Sequence, residues 1–453
     1  MSDIKQFDIV VLGAGESGVG AAILANKYGL SVFVSDYGKI SPRHQEELAR
    51  YNIPYEEGHH SLDIICNSKE IVKSPGVAEE TPVMKAVRSA GINVISEIEL
   101  ASRYTDAYMI GITGSNGKTT TTMWLHHTLR EAGLDVGLAG NVGFSLARQV
   151  AYEPHQYYVI ELSSFQLDDM YKFRANIAIL LNITPDHLDR YNHSFDLYAQ
   201  AKMRIMQNMT SDDTFIYWAD DPYISRKVAE KNPNVKIKPF SISRLDSKVS
   251  AMLNEKDELE IEEDGESVFT IKRSDLALPG AHNLQNAMAV ALAAKTVGIS
   301  NEVLYKSLHV FRNVPHRLEF VRELRGVRYI NDSKATNIQS TVAALESMTT
   351  PIILILGGTD KGNDYSIIEK DVVKKAKGLV FLGVDNKKLH AAFDGKVPQI
   401  ADALSMPEAV RLATNMAEEG MTVLLSPCCA SFDLFNNYED RGDQFRSCAL
   451  AIS

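Results

Sequence analysis

Residues 107–129, AYMIGITGSNGKTTTTMWLHHTL, read as a buried strand, a glycine-rich loop and the start of a helix. Ala107 to Thr113 is a short apolar run of the kind that fills a central parallel strand. Gly114 and Gly117 let the backbone turn tightly and approach a ligand with no Cβ in the way. From Thr119 onward Trp124, Leu125 and Leu129 recur at helical spacing, so the loop feeds a helix N-terminus. Free N–H groups and the positive dipole end there make an anion site. Gly114, Ser115, Asn116, Gly117, Lys118, Thr119 and Thr120 are the residues expected around ATP. Lys118 supplies a mobile charge for the β- and γ-phosphates, and the Thr119 hydroxyl is suited to Mg²⁺. One position departs from strict phosphate-loop spacing: Ile112 stands where glycine is expected, and Gly111 is one residue early. The alternative is a strand-to-helix turn that carries Gly-Lys-Thr without binding phosphate.

The bulk properties bound the rest. A length of 453 residues suggests about three domains. A net charge of −11 argues against a nucleic-acid partner, which usually leaves a basic footprint, but not against local phosphate sites. No apolar run reaches the roughly 18 residues of a membrane span. The N-terminus, MSDIKQFDIVVLGAG, runs directly into a strand and lacks a signal-peptide layout, so a cytoplasmic protein is expected. Cys66, Cys428, Cys429 and Cys448 form no C-x-x-C pair and are expected as reduced, buried thiols.

Residues 7–37 repeat the strand, glycine loop and helix. Gly13, Gly15 and Gly18 stand in G-x-G-x-x-G spacing after an apolar strand, and SVFVSD ends at Asp36. That acid lies about 20 residues beyond the loop, where a dinucleotide-binding domain places a ribose ligand. By itself this predicts NAD or FAD; the alternative is a Rossmann-like domain that holds another nucleotide or none. A helix near 43–51, a strand at 70–76, a helix at 82–90 and a strand at 93–96 follow, closing a first domain at 1–97. Ser74, Pro75 and Gly76 sit at a strand's C-terminal end, where open α/β sheets bind ligands.

The central domain, 98–312, continues the alternation. YYVIELSSFQL (157–167) is a strand ending in Glu161, with Ser163 and Ser164 at a helix start. ANIAILLNITPDHLDRY (175–191) is a buried strand ending at Asn182, then a loop with Asp186, His187 and Asp189. Carboxylates and a histidine at strand ends near a phosphate loop suit Mg²⁺ contacts, although Asp186 serves equally as a helix cap. In 195–209 the stripe Leu197, Ala201, Ile205 and Met209 predicts an amphipathic helix, with Lys202 beside the stripe as a snorkelling surface lysine. Residues 235–272 read as an antiparallel β excursion with a turn at Gly265. LPGAHNLQNAMAVALAA (278–294) starts a long helix with Asn283 and Asn286 in its first turn.

The third domain, 313–453, has strands at 327–333, 351–358, 378–383 and 422–427 between helical segments, another doubly wound parallel sheet. Loops 331–337, 357–365 and 426–442 meet at one sheet edge as a candidate anionic-ligand site. The fold class is therefore α/β, with a Rossmann-like first domain, a phosphate-loop central domain with a β excursion, and a Rossmann-like third domain.

Eight motifs in order, GITGSNGKTT, ELSSFQL, LNITPDHLDRY, HNLQNA, PHRLE, NDSKATN, LGGTDKG and SPCCASFDLFNNYEDRGDQF, resemble the Mur ligases. The likeness covers all three domains and is nearest to the members that add D-glutamate. It implies an ATP-dependent ligase of peptidoglycan precursor synthesis that joins D-glutamate to UDP-N-acetylmuramoyl-L-alanine. It also reassigns the first domain from a redox cofactor to the UDP part of the precursor. Carried over residue by residue, Lys118 meets the transferring phosphate, and Thr119, Glu161 and His187 meet two Mg²⁺ ions. Lys202 matches the family's carbamylated lysine, a carboxylate-like metal ligand. Asn283, Arg317 and Asp332 match nucleotide-holding positions. Gly15, Glu16, Ser17, Asp36, Tyr37, Ser74 and Asn141 match the UDP-precursor positions, Glu16 through its backbone N–H. Thr336, Lys361, Ser431 and Tyr438 match the D-glutamate positions. A monomer is expected, with the third domain closing over the second.

Overall fold

The computed structural model describes residues 6–186, 188–243, 249–312, 315–360 and 362–452. The chain forms two compact units: Met1–Ala277 with Asn283–Phe311, and Leu278–His282 with Arg312–Ser453. Among the described residues, no helix is long and apolar enough to cross a membrane.

The first unit holds two sheets. The smaller has five parallel strands in the order Tyr55–Glu57, Val32–Asp36, Ile9–Leu12, Glu70–Lys73, Asn93–Ser96. The order reverses at Ile9–Leu12, so the loop at Gly13 opens at the switch point where such sheets bind ligands. Gly18 is required by packing, because a Cβ there would collide with the Gly13 carbonyl. The larger sheet has nine strands, with Tyr108–Thr113 flanked by Ile177–Leu180 and Tyr157–Glu161, all parallel. Both faces of Tyr108–Thr113 are covered, which explains its continuous apolar run.

The excursion at 235–272 is only partly antiparallel. Lys236–Ser241 pairs parallel with Thr214–Trp218, and Ala251–Leu253 pairs parallel with it in turn. Only the pairings of Ala251–Leu253 with Glu258–Glu263, and of the latter with Glu266–Lys272, are antiparallel. The helix Pro222–Lys231 supplies the crossover that parallel pairing needs.

The second unit is a six-stranded sheet in the order Glu319–Leu324, Val327–Asn331, Thr422–Leu425, Ile352–Leu356, Ala376–Leu382, Ile400–Ala403. It is parallel except at one edge, where Glu319–Leu324 and Val327–Asn331 form a hairpin. The expectation of a wholly parallel sheet is corrected there: only Arg325 and Gly326 separate the strands, too short for a parallel crossover.

Of the cysteines, Cys428 and Cys429 are buried, while Cys66 and Cys448 are half-buried; all four are free thiols.

Candidate functional site

The phosphate loop is organised by contacts among its own residues and the next strand end. The helix Lys118–Glu131 begins after Gly117, whose φ of 83° is left-handed and whose missing Cβ makes room for the Asn286 carboxamide. Ser115 N–H donates to the Asn182 carbonyl at 2.9 Å, and Asn116 N–H to Asn182 Oδ1 at 2.8 Å. Ser115 Oγ lies 2.9 Å from Tyr198 Oη and donates to the Thr184 carbonyl at 2.8 Å. Thr121 Oγ1 donates to Asn286 Oδ1 at 3.1 Å, and Asn286 Nδ2 to Asn283 Oδ1 at 3.3 Å. Asn283 thereby joins the loop through Asn286.

Two lysines converge on one carbonyl. Lys118 Nζ donates to Gly114 O and Ser115 O, each at 2.8 Å, and Lys202 Nζ donates to Gly114 O at 2.8 Å. Lys202 is 2% exposed, so the reading of a snorkelling surface lysine is wrong. The helix Phe195–Met203 tightens to a 3₁₀ turn at Arg204–Met206; of the expected stripe Ala201 and Ile205 are buried, and Leu197 is the member that faces out. Leu197 is 44% exposed, while Tyr198, Ala199 and Lys202 turn inward. Burial drives the Lys202 pKa well below its ordinary value and the Lys118 charge adds to this, against the pull of Asp186 and Glu161.

Glu161 is buried at a strand end. Its Oε1 accepts from Asn141 Nδ2 at 2.9 Å, and among the described residues its Oε2 has no hydrogen-bond partner. The Thr120 hydroxyl is likewise buried without one among the described residues. Thr119 is buried in the first turn of the same helix. The carboxylate oxygen of Glu161 and the hydroxyl of Thr119 are each a hard oxygen donor, the chemistry that fits Mg²⁺. Among the described residues, no cluster of three His, Cys, Asp or Glu side chains could hold a metal ion. His187 lies outside the described residues.

In the first sheet, Gly15, Glu16, Ser17, Asp36, Tyr37 and Ser74 all line one cavity of about 800 Å³. Asp36 accepts from Ala14 N–H at 2.6 Å and Gly38 N–H at 2.7 Å, so its carboxylate shapes the glycine loop. The Glu16 carboxylate takes Arg148 Nε at 2.7 Å, and the guanidinium also pairs with Glu47. The Glu16 charge is thus directed at Arg148. Asn141 does not line this cavity and bonds Glu161 instead; Gly143 of the same turn reaches the cavity wall. That turn is anchored by Glu97, whose Oε1 accepts from Ser145 Oγ at 2.7 Å and Ala147 N–H at 2.5 Å. Burial pushes Glu97 up to about pH 7, against those two bonds.

In the second unit the three polar loops do meet. Asp332 accepts from Leu318 N–H at 3.1 Å and Ser426 Oγ at 2.9 Å. Burial lifts its pKa to about 7, opposed by the Arg317 charge. Cys428 N–H donates to the Ala335 carbonyl, and Thr359 bridges Ala430. Arg441 is buried and ties the loops together: Nε to Ser333 Oγ at 2.9 Å, Nη2 to Ser333 O at 2.8 Å and Nη1 to Cys429 O at 3.2 Å. Tyr438 Oη receives Lys334 Nζ at 3.2 Å, Ser431 is buried and Thr336 is half-buried. Lys361 lies outside the described residues.

Sequence reasoning missed Asn182 as the loop's clasp, Glu97 as the anchor of the 141–145 turn, and Arg441. Arg441 lay inside a quoted motif, but nothing in sequence distinguishes a buried guanidinium from a surface one.

Three family models match in order: the Mur ligase MurD-like N-terminal domain over residues 7–96, the Mur ligase middle domain over 112–294, and the Mur ligase glutamate ligase domain over 316–429. The chain belongs to the Mur ligase family, and its three α/β domains are those of that family. Its relatives include the UDP-N-acetylmuramoylalanine–D-glutamate ligase of Porphyromonas gingivalis, 64% identical over 99% of this chain and 100% of that one. The enzyme of the same name from Bacteroides thetaiotaomicron is 53% identical over 97% and 98% of the two chains. Among solved structures, the UDP-N-acetylmuramate-alanine ligase MurC from Thermotoga maritima shares the fold at a TM-score of 0.63 and 19% identity, covering 98% of this chain and 99% of that one. MurF ligase from the same organism, solved in complex with ADP, has a TM-score of 0.62 at 16% identity over 92% and 94% of the chains.

Proposed function

We propose that this chain joins D-glutamate to UDP-N-acetylmuramoyl-L-alanine at the expense of ATP, acting through an acyl phosphate. The observation that carries the reading is the convergence of Lys118 and Lys202 on the Gly114 carbonyl. Relatives at 64% and 53% identity that carry this ligase name support the substrate assignment. The domain limits near residues 97 and 312 belong to the same reading.

A carboxylate is a poor acyl donor. Its oxygen attacks the γ-phosphorus, ADP departs, and the D-glutamate amine then attacks the acyl carbon and expels phosphate. Phosphoryl transfer needs mainly positioning and charge neutralisation. The loop Gly114–Thr120 offers N–H groups at a helix start, and Lys118 exchanges its present carbonyl partners for phosphate oxygens. Thr119, Glu161, His187 and a carbamate on Lys202 would hold Mg²⁺, which would supply the remaining neutralisation of charge on the transferring group. The neutral amine that burial favours at Lys202 is the form that takes up CO₂. Asn283, Arg317 and Asp332 serve the nucleotide. Gly15, Glu16, Ser17, Asp36, Tyr37, Ser74 and Asn141 serve the UDP-bearing precursor. Thr336, Lys361, Ser431 and Tyr438 serve D-glutamate.

The test is ADP release by the purified protein with UDP-N-acetylmuramoyl-L-alanine, ATP and D-glutamate. Release that requires both co-substrates is expected. Release that ignores D-glutamate, or responds better to another amino acid, rejects the reading.

A further inference from the structure

The cavity of the first sheet carries a chain of polar groups that the assignments above leave unused. Ser35, in the strand Val32–Asp36, is fully buried. Its hydroxyl lies 2.6 Å from Glu56 Oε1 and 2.6 Å from His60 Nδ1. Glu56 also accepts from Ser61 N–H at 2.8 Å and Ser61 Oγ at 2.6 Å, and His59 Nε2 is 3.3 Å from its Oε2. Burial works to raise the Glu56 pKa, but the bonds from Ser35 and Ser61 outweigh it and hold the carboxyl below its usual value. Glu56 is therefore an ionised group that only accepts.

Ser35 has one hydroxyl proton. It must point at Glu56, because a carboxylate and a hydroxyl oxygen 2.6 Å apart repel without a proton between them. His60 Nδ1 must then be the donor to Ser35 Oγ. Burial lowers the His60 pKa, outweighing the nearby Glu56 and Asp36 charges, with His59 adding to the lowering. The ring is neutral, its single proton sits on Nδ1, and Nε2 keeps a bare lone pair.

His60 lines the cavity together with Asp36, Tyr37 and Leu62. Tyr37 is 75% exposed, with its ring centroid 5.9 Å from that of His60. This wall thus offers an open aromatic face beside a hydrogen-bond acceptor of fixed tautomer. Uracil presents an N–H at N3 between two carbonyls, whereas cytosine presents a lone pair at N3. We propose that His60 Nε2 accepts the N3–H of a uracil base stacked near Tyr37, making His60 the residue that selects uridine over cytidine, with Ser35 and Glu56 as positioning residues. The proposal rests on the assignment of the UDP-bearing precursor to the first domain.

Calorimetric titration of the full chain with UDP and with CDP tests both levels. The wild type prefers UDP by about tenfold to a hundredfold, the range expected from one buried polar group left unsatisfied. His60→Ala weakens UDP by about tenfold while CDP holds or improves, so the preference collapses toward unity. Ser35→Ala lowers the preference in the same direction. UDP binding with an unchanged UDP-to-CDP ratio in His60→Ala overturns the role of His60 and leaves the first-domain assignment standing. No UDP binding by the wild type overturns that assignment and this inference with it. Should His60→Ala fail to fold, ¹⁵N NMR of the wild-type imidazole decides: a proton on Nδ1, with an Nε2 resonance that moves on addition of UDP but not CDP, is expected. A proton on Nε2 before ligand is added overturns the proposal.

Discussion

Replacing Lys202 with alanine removes an amine that is 2% exposed and donates to Gly114 O at 2.8 Å. That carbonyl keeps Lys118 at 2.8 Å, so no acceptor is orphaned. Deleting the three stem carbons beyond Cβ leaves a hole, and truncations of this size cost about 2–5 kcal/mol. Removing a group whose charged form is penalised by burial offsets part of that. The net loss expected is about 1–3 kcal/mol, a fall of several °C in Tm for domains of this size. Lys202→Met, which refills the stem, restores most of it. Turnover behaves differently. If the lysine carries a metal-binding carbamate, both variants lose at least about a thousandfold in ADP release, several kcal/mol of transition-state stabilisation. Acetate or formate restores part of the alanine variant's rate by entering the hole and none of the methionine variant's. The assay pairs substrate-dependent ADP release with a thermal melt. Turnover of Lys202→Ala within a few-fold of wild type, with no response to short carboxylic acids or to removal of CO₂, refutes the reasoning.

Three further perturbations follow from the same geometry. Glu161→Gln keeps an oxygen for Asn141 but removes the orphaned anionic one; the Mg²⁺ concentration for half-maximal rate should rise about tenfold or more, with Tm within a few °C. An unchanged Mg²⁺ curve would argue against a metal at this carboxylate. Glu97 rises from 4.5 to about 7 on folding, so between those values the folded state holds a proton that the unfolded state has lost. Its contribution is fully present below pH 4.5 and is lost as pH climbs through 7, so Glu97→Gln should gain on wild type by several °C between pH 4.5 and 8. A melting difference that shrinks with pH would reverse the sign. Arg441→Met strands Ser333 O and Cys429 O, and a loss of about 3–5 kcal/mol in denaturant unfolding is expected. A loss under 1 kcal/mol would mean water replaces the guanidinium, the smaller cost of an exposed site.

The local signals that mark strands and loops were legible because each has a short-range cause. Apolar runs at 108–113 and 352–356 mark strands covered on both faces, and the glycines at 114 and 117 mark a backbone that must turn at a helix start. Edge elements were not legible. Tyr55–Glu57 and Ile400–Ala403 bury too little to show a pattern; the interior strand Lys236–Ser241 misleads for another reason, alternating like an antiparallel strand although it pairs in parallel on both sides. Lys202 shows the limit most clearly. Its position beside an apolar stripe predicted a solvated cation, yet the lysine is buried with that stripe and its amine donates to the Gly114 carbonyl.

By itself, then, the order of residues determined the fold class, the phosphate loop and the set of polar strand ends, since each follows from periodicity or from backbone freedom at a glycine. Only the tertiary structure decided which of those polar groups are charged, paired or left with a bare oxygen. Protonation and hydrogen bonding depend on neighbours far apart in the chain, such as Glu56 and His60 meeting on Ser35, or Asn141 and Glu161. Burial then fixes the outcome, because a low-dielectric interior penalises any charge that lacks a partner.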